Sequence, residues 1–211
     1  METPECMSKD LTLKPYQKRG LHWLTLVHSQ KIGAILADEM GLGKTVQTIA
    51  FLAWLKTVSP NFTRPHLVVC PSSTLENWRR EFECWCPSFR IHSYHGEHRR
   101  HVLRKIIKAK NGAKADDFKE DDQTEDKANE ENASLSSYEN IDVIITTYQS
   151  CVANEHDRVA IKKLGVGYAI FDEGHMLKNM NTHRYLHAYM YITYTSICTY
   201  ININNFLGTS S

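Results

Sequence analysis

The sequence predicts a three-layer α/β fold in which helices cover both faces of a mainly parallel β-sheet. Short apolar runs recur along the chain, and most are followed by a stretch with helical patterning. A glycine-rich motif follows one run directly, and an acidic motif follows another. The 211 residues are 42% hydrophobic and 23% charged, with a net charge of +1. This composition is typical of a globular protein and excludes a collagen, a disordered chain and a bundle of membrane spans.

The predicted elements alternate along the chain. The predicted strands cover residues 32–37, 66–70, 90–95, 141–148 and 166–172. The predicted helices cover residues 43–56, 73–85 and 97–108, with a further short stretch around 158–164. Ligands of such sheets bind beyond the carboxyl ends of the strands, so the residues that follow each strand form the candidate site.

The charge is unevenly distributed. Residues 110–140 carry ten acidic and four basic side chains, a net charge of −6, which leaves +7 on the rest of the chain. Because it has few apolar anchors, this segment is predicted to be a disordered, solvated insertion. Recognition of a basic, histone-like ligand is the alternative role for it. The basic remainder is compatible with a polyanionic partner without establishing one.

The cysteines predict a reducing compartment with free thiols. All six are scattered, and the first ten residues contain no apolar secretory region. Cys84 and Cys86 with His92 and His95 do not match a standard zinc spacing, so ordinary packing is the favoured interpretation. Three tryptophans are predicted to be core residues: Trp23, Trp54 and Trp78.

A candidate phosphate-binding loop follows the first strand. Its residues are Asp38, Glu39, Met40, Gly41, Leu42, Gly43, Lys44 and Thr45. They match the pattern G-x-x-x-x-G-K-[ST] except at Asp38. Gly41 and Gly43 let the backbone bend close to oxygen atoms, Lys44 can reach the β- and γ-phosphates, and the Thr45 hydroxyl can coordinate Mg²⁺. The alternative is a turn that only starts a helix, but its place between a strand and a helix favours a nucleotide.

An acidic motif ends the last predicted strand. Asp172 at that strand end can hold the Mg²⁺ that Thr45 contacts, and Glu173 can polarise a water for attack on the γ-phosphate. His175 can couple the phosphate site to another surface by a hydrogen bond. The alternative is that the two acids only cap the following helix. The two motifs together, in this order, predict nucleotide binding.

These motifs resemble the first motor lobe of superfamily-two helicases, and most closely a Swi/Snf-type chromatin-remodelling ATPase of the SMARCAD-type branch. DEMGLGKT at 38–45 is similar to that family's own form of the phosphate loop, which accounts for Asp38. Four further segments are similar to family motifs: LKPYQKRGLHWL (13–24), CPSSTLENWRREF (70–82), IITTYQS (144–150) and DEGHMLKN (172–179). The resemblance implies a RecA-like lobe at about residues 11–187, interrupted by the insertion at 110–140 and preceded by a tail at 1–10.

The resemblance also implies cofactors and partners. ATP and Mg²⁺ are the implied cofactors, and Gln17 would read the adenine edge through its amide. The residues implied to line a track for double-stranded DNA are Pro71, Ser72, Ser73, Thr146, Thr147 and Lys178. Such groups hold phosphates without reading bases, although capping and turn formation explain the Ser and Thr residues as well. Nucleosomes as partners and a nuclear location follow from the family; no membrane partner is expected, and the oligomeric state is left open.

Residues 188–211 depart from the family pattern. They are rich in Tyr, Ile and Thr and β-prone, and they do not resemble the family's next strand. The sequence also contains no second motor lobe, so the chain is predicted to be truncated. In this family the second lobe would supply arginines that stabilise charge on the γ-phosphate, a contribution of roughly 10³–10⁵ in rate in related systems. Without that lobe we expect the chain to bind ATP–Mg and DNA but to hydrolyse ATP negligibly. The alternatives are a catalytically inactive DNA- or protein-binding fragment and a lobe of a DNA-repair translocase.

Overall fold

The fold is described from a computed structural model of the chain. The structure describes residues 3–39, 41–60, 64–96, 141–152, 164–174 and 197–201, together with residues 157 and 161. The insertion at 110–140, the predicted helix at 97–108 and most of the stretch at 158–164 therefore lie outside the described residues.

The described part contains four helices and six strands whose bounds are complete. The helices are α1 (Pro15–Ser29), α2 (Lys44–Val58), α3 (Leu75–Trp85) and the short α4 (Tyr148–Val152). The strands are β1 (Ala34–Leu36), β2 (His66–Cys70), β3 (Ile91–Tyr94), β4 (Val143–Thr147), β5 (Tyr168–Asp172) and β6 (Ile197–Ile201).

All six strands form one parallel sheet in the order β1-β6-β5-β2-β4-β3. Strands β2, β4 and β5 are buried along their whole length, as expected when helices cover both faces of a sheet. The predicted α/β fold with a parallel sheet is confirmed. Because all six strands are parallel, their carboxyl ends lie at the same edge of the sheet.

Strand β6 differs from the prediction for the C-terminal segment. Residues 188–211 were not expected to supply the next strand, but Ile197–Ile201 pairs with β1 on one side and β5 on the other. The prediction is wrong for these five residues because strand pairing does not require a match to the family's sequence motif. Backbone groups pair, and β-branched and aromatic residues suit a pleated sheet.

Helix α2 lies at the centre of the hydrophobic core. Ten of its fifteen residues are buried, which exceeds a single amphipathic stripe and indicates a helix covered on most sides. Leu21 and Leu24 of α1 and Trp78 and Phe82 of α3 pack into the same core. Trp78 is 1% exposed, as predicted.

Trp23 and Trp54 differ from Trp78 in their burial. Trp54 is only partly buried but packs against the core. Trp23 is 41% exposed, so the prediction that it is a core residue is wrong. It lies on the side of α1 away from Leu21 and Leu24, whose spacing defines the buried face of that helix.

The N-terminal residues 3–10 pack onto the lobe. Met7 is 5% exposed and belongs to the hydrophobic core, and the Ser8 amide donates to the Trp85 carbonyl at the end of α3 (2.7 Å). The segment predicted as a tail is thus held by both apolar and polar contacts.

No helix within the described ranges is long and apolar enough to cross a bilayer. The same residues include no cluster of three or more His, Cys, Asp or Glu side chains that could hold a metal ion.

Candidate functional site

The strand that ends in the acidic motif is level with the strand that precedes the phosphate loop. Leu36 at the end of β1 and Asp172 at the end of β5 both register with Ile201 of β6, which lies between them. Two strand spacings separate β1 from β5, roughly 10 Å. A loop that starts two residues after Leu36 and an acid at Asp172 therefore face the same stretch of the sheet edge.

The end of β2 and the end of β4 continue the same row. Cys70 registers with Thr147, and the pairing of Val69 with Phe171 puts Cys70 beside Asp172. The residues predicted to contact DNA, which follow β2 and end β4, thus start from the same edge as the nucleotide motifs. Parallel pairing alone brings these distant stretches of sequence together.

Two glycines of the phosphate loop have positive φ, 84° at Gly41 and 68° at Gly43. Only glycine adopts this region without strain. A Cβ at Gly43 would also lie 2.5 Å from Gln17 Nε2, whereas a Cβ at Gly41 would have open space. Gln17 is 6% exposed, and its Oε1 accepts a hydrogen bond from the Lys14 amide (2.9 Å). The structure therefore brings Gln17 against the loop, as expected if both contact one ligand.

Lys44 is buried inside the loop rather than extended into solvent. It is 7% exposed, and its Nζ donates to the carbonyls of Asp38 (2.5 Å) and Glu39 (2.9 Å). Helix α2 begins at Lys44, with Gly43 as an N-cap that makes no side-chain hydrogen bond, and its first turn contains no acidic residue. The start of α2 thus combines unpaired backbone amides with one ammonium group, and no acidic side chain of the first turn neutralises them. This arrangement suits an external anion.

Gln47 is a site residue that sequence reasoning missed. Its side chain is fully buried, and its Nε2 donates to the Asp38 carboxylate (3.2 Å) and the Leu42 carbonyl (3.4 Å). These bonds tie the two ends of the loop to α2 and give Asp38 a structural role in place of the expected glycine. The available signal was a glutamine within the otherwise apolar run VQTIAFLAWL, where a buried amide requires polar partners.

Asp172 is held in place by three neighbours. Its carboxylate accepts hydrogen bonds from Trp78 Nε1 (2.8 Å) and from the Glu173 amide (2.9 Å). Its main-chain carbonyl accepts one from the Tyr148 hydroxyl (2.6 Å). Trp78 is the second residue that sequence reasoning missed; it was predicted as core alone, although a buried indole N–H needs an acceptor.

The electrostatics of Asp172 reflect burial. Desolvation raises the pKa of its carboxyl group, and the nearby Glu173 raises it further. The hydrogen bond from Trp78 and the positive charge of Lys44 act in the opposite direction. Lys44 and Asp172 are thus close enough to interact, and a cation at this point would favour the charged carboxylate.

Glu173 and Thr45 lie next to these residues and are partly accessible. Glu173 is half-buried with a φ of +52°, a region that residues other than glycine rarely occupy and that recurs at functional sites. Thr45 is half-buried in the first turn of α2. Both are therefore open to a ligand at the strand ends.

The residues predicted for DNA fall into two groups. Pro71 is half-buried, while Ser72 and Ser73 are exposed just beyond β2. Thr146 and Thr147 are buried, and their hydroxyls bond inside the lobe, to the Tyr94 carbonyl (2.9 Å) and to Ser150 Oγ (2.9 Å). The structure does not place these two hydroxyls on the surface that Ser72 and Ser73 share. Three predicted residues lie outside the described ranges: Met40, His175 and Lys178.

Comparison with known proteins gives one consistent family. The model of the SNF2-related domain matches residues 16–199. A Xenopus tropicalis protein, "SWI/SNF-related matrix-associated actin-dependent regulator of chromatin subfamily A containing DEAD/H box 1", is 44% identical over 189 residues, which are 89% of this chain and 16% of the relative. The human protein of that name gives the same figures, and a Drosophila melanogaster homologue is 40% identical over 88% of this chain and 19% of its own length.

Solved structures agree with the sequence relatives. The Sulfolobus solfataricus SWI2/SNF2 ATPase core in complex with double-stranded DNA matches with a TM-score of 0.66 and 27% identity, over 96% of this chain and 34% of that one. The ATPase core domain of the same organism matches with a TM-score of 0.64 and 25% identity, over 96% and 32% of the two chains. This chain spans less than a fifth of the length of the curated relatives above. The resemblance seen in the motifs is confirmed: the chain belongs to the SNF2-related family and is similar to the SMARCAD-type remodellers within it.

Proposed function

We propose that this chain forms the ATP-binding lobe of an ATP-dependent DNA translocase of the chromatin-remodelling class. One observation carries the proposal: the shared register with Ile201 sets the phosphate loop after Leu36 and the acid at Asp172 at one edge of one sheet. Family membership supports the same function, since the relatives are named regulators of chromatin.

The proposed phosphate contacts centre on Lys44. Its ammonium group is buried and has two neutral carbonyls as partners. Phosphate oxygens carry full charge, so they are stronger acceptors for an ammonium group than carbonyls are. The uncapped amides at the start of α2 would hold the same phosphates, and Gln17, beside Gly43, would contact the base.

Asp172 and Thr45 suit a magnesium ion. Mg²⁺ prefers oxygen ligands, and a carboxylate offers about four acceptor positions. Trp78 and the Glu173 amide use two of those on Asp172, which leaves acceptor capacity toward a cation. When bound, Mg²⁺ neutralises charge on the phosphates. We assign Glu173, at the exposed side of the acid pair, to orienting a water near the γ-phosphate, and His175 to coupling this site to another surface.

The proposed DNA contacts use the surface after β2. Pro71, Ser72 and Ser73 start from the row that contains Asp172, so DNA phosphates bound there would adjoin the nucleotide. Hydroxyls and backbone amides hold phosphates without reading sequence. Lys178 follows the acidic motif closely in the chain and would add a charge to the same track. The family of the relatives makes double-stranded DNA within nucleosomes the proposed partner and the nucleus the proposed location.

Nucleotide binding is tested by thermal unfolding with and without ATP–Mg. A ligand of the native state at a hundredfold excess over its dissociation constant adds about 2.7 kcal/mol of stability, so the midpoint of the wild-type chain rises. Lys44→Ala abolishes this rise. Lys56→Ala is the matched control, because Lys56 lies on the same helix but pairs with Asp142 at 2.8 Å; it keeps the rise. No rise in the wild type, with DNA binding retained, would instead identify a binding module without nucleotide.

DNA binding is tested by titrating unrelated duplexes at several salt concentrations. Contacts made mainly to phosphates predict affinity that falls steeply with salt and differs little between sequences. Ser72→Asp places a negative charge on the proposed track and weakens binding about tenfold, or about 1.4 kcal/mol. Ser59→Asp, at the exposed end of α2 near the opposite edge of the sheet, leaves affinity unchanged. Equal effects of the two substitutions would show that DNA does not bind at the surface after β2.

A further inference from the structure

The N-terminal segment meets the ends of α2 and α3 at a pair of cysteines. Cys6 is half-buried, and its Sγ donates to the Ala53 carbonyl of α2 (3.3 Å). Cys86 is fully buried and closes α3, with its amide bonded to the Phe82 carbonyl (2.8 Å). The two thiols are close enough to influence each other's pKa, and each is the largest influence on the other. Both are free thiols in the structure.

The backbone around the pair holds the two sulfurs together. The Ser8 amide donates to the Trp85 carbonyl (2.7 Å), one residue before Cys86. The Ser88 hydroxyl donates to the Cys6 carbonyl (3.3 Å), two residues after Cys86. These bonds flank the cysteines on both sides, so the approach of the sulfurs does not depend on the thiols themselves.

The two thiols differ in acidity and access. The neighbouring Cys86 thiol lowers the pKa of Cys6 to about 7, helped by the Thr57 hydroxyl and the Lys56 ammonium and opposed by burial. The neighbouring Cys6 thiol, together with burial, raises the pKa of Cys86. Cys6 is therefore the more acidic thiol of the pair, and of the two only Cys6 is open to solvent. Reactive cysteines have this combination of thiolate character and access.

We propose that Cys6 and Cys86 form a reversible disulfide in response to a peroxide, with Cys6 as the attacking residue and Cys86 as the resolving one. The Cys6 thiolate attacks one peroxide oxygen, the O–O bond breaks, and Cys6 becomes a sulfenic acid, while the departing hydroxide takes a proton from solvent to become water. The Cys86 thiol then attacks the Cys6 sulfur, forms the S–S bond and releases the sulfenic oxygen as a second water. Two thiols lose two electrons and two protons in total, and hydrogen peroxide is reduced to two waters. A dithiol reductant reverses the step.

The disulfide joins the start of the chain to the end of α3. The enclosed loop contains α1, β1, the phosphate loop, α2, β2 and α3. Closing a loop of this length restricts the unfolded chain, so the oxidised protein is more stable than the reduced one. Because free thiols are the rule in a reducing compartment, a disulfide of this kind is transient and sensing rather than permanent.

The test treats the full chain with hydrogen peroxide and maps disulfides by non-reducing peptide mass spectrometry. The expected product links the Cys6 and Cys86 peptides, and dithiothreitol reverses it. Cys86→Ser leaves Cys6 as a sulfenic acid that a dimedone probe labels, while Cys6→Ser shows neither link nor label. Cys84→Ser is the matched control, because Cys84 is exposed two residues from Cys86; it retains the link.

Thermal unfolding gives a second readout. The oxidised wild type should melt roughly 5 °C or more above the reduced form, and neither Cys6→Ser nor Cys86→Ser should show the difference. If Cys86→Ser fails to fold, Cys6→Ser carries the comparison, since Cys6 is the more exposed partner. A link from Cys6 to Cys84, links only between molecules, or oxidation with no Cys6–Cys86 link would each overturn the proposal.

Discussion

Gly43 is constrained both by its backbone angle and by the side chain beside it. Its φ of 68° lies where a residue with a Cβ is strained, and the Cβ itself would meet Gln17 Nε2 at 2.5 Å. Gln17 would have to move and would lose the hydrogen bond that its Oε1 accepts from the Lys14 amide. Gly41 shares the first constraint, with a φ of 84°, but not the second.

Gly43→Ala and Gly41→Ala separate these two constraints. Strain of this kind costs about 1–2 kcal/mol in either variant, and displacement of Gln17 adds about 1 kcal/mol at Gly43 alone. Urea unfolding should therefore show Gly43→Ala as the less stable of the two. In a Gln17→Ala background the difference should disappear. If both variants lost equal stability with Gln17 present, Gln17 would not restrict the residue at position 43.

At the residue scale, the sequence predicts the chemistry better than the packing. The glycines, Lys44 and Asp172 stand out in the sequence because a magnesium nucleotide would require those residue types at those spacings, and their role toward a ligand stays a prediction. Gln47 and Trp78 were not assigned to the site, because their partners, Asp38 and Asp172, are 9 and 94 residues away and hydrogen bonds over such separations depend on the finished fold. Thr146 shows the reverse case, since its hydroxyl suits a phosphate but is used by the Tyr94 carbonyl.

At the element scale, α3 is joined to the acidic strand through one indole. Trp78 is 1% exposed and donates to the Asp172 carboxylate at 2.8 Å, while the rest of α3 faces solvent or the core. The other tryptophan of the helix, Trp85, donates to Glu81 one turn earlier on the same helix (3.0 Å). The Trp78 indole therefore makes a hydrogen bond between α3 and β5, and the Trp85 indole makes one within α3.

Trp78→Phe removes the bond between elements and keeps most of the aromatic packing. A hydrogen bond to a charged group contributes about 1.5–3 kcal/mol, so we expect a loss of that order at neutral pH. Burial raises the pKa of Asp172 and the Trp78 bond lowers it, so the variant has a still higher pKa. A raised pKa means that the folded state binds a proton more tightly, so stability falls as pH rises through the range between the unfolded and folded values.

The penalty of Trp78→Phe should therefore shrink as the pH is lowered toward the ordinary pKa of an aspartate and grow again toward neutrality. Chemical unfolding at a series of pH values measures it. Trp85→Phe is the control, and its effect on stability should not follow the titration of Asp172. A pH-independent penalty for Trp78→Phe would show that its loss is one of packing alone.

The elements themselves were predictable where burial is strong. Strands β2 and β5 are buried runs, of which β2 ends at Cys70 before a proline and β5 ends at the acidic Asp172, and the structure bounds them within two residues of the prediction. Strand β1 is shorter than predicted, at three residues, since within the described residues Ala34–Leu36 are the ones that pair, and their partner is β6. Strand β6 was missed because its assignment depends on its neighbours in the sheet rather than on its own pattern.

At the scale of the whole molecule, the parallel sheet brings motifs that are distant in the sequence to one edge. The motifs appear in the sequence as separate stretches around residues 38–45, 70–73 and 172–173. The parallel direction of the strands was predictable and places them at one edge. Their lateral order was not, because nothing in a single sequence fixes which strand lies between β1 and β5.

The spacing that results suits one shared ligand. With β6 between them, β1 and β5 are roughly 10 Å apart, a gap that the phosphate loop and the Asp172 carboxylate approach from either side. Adjacent strands would leave less room between the loop and the acid. The proposed function requires that Lys44 and Asp172 act on the same magnesium nucleotide.

The most direct measurement of that claim is the magnesium dependence of ATP affinity by isothermal titration calorimetry. In the wild type, Mg²⁺ should tighten ATP binding at least about tenfold, or about 1.4 kcal/mol. Asp172→Asn, which keeps an acceptor for Trp78 but lacks the charge, should bind ATP with nearly the same affinity whether or not Mg²⁺ is present. An equal gain from Mg²⁺ in the wild type and in Asp172→Asn would contradict the account, because the ion would then be held without the acidic strand.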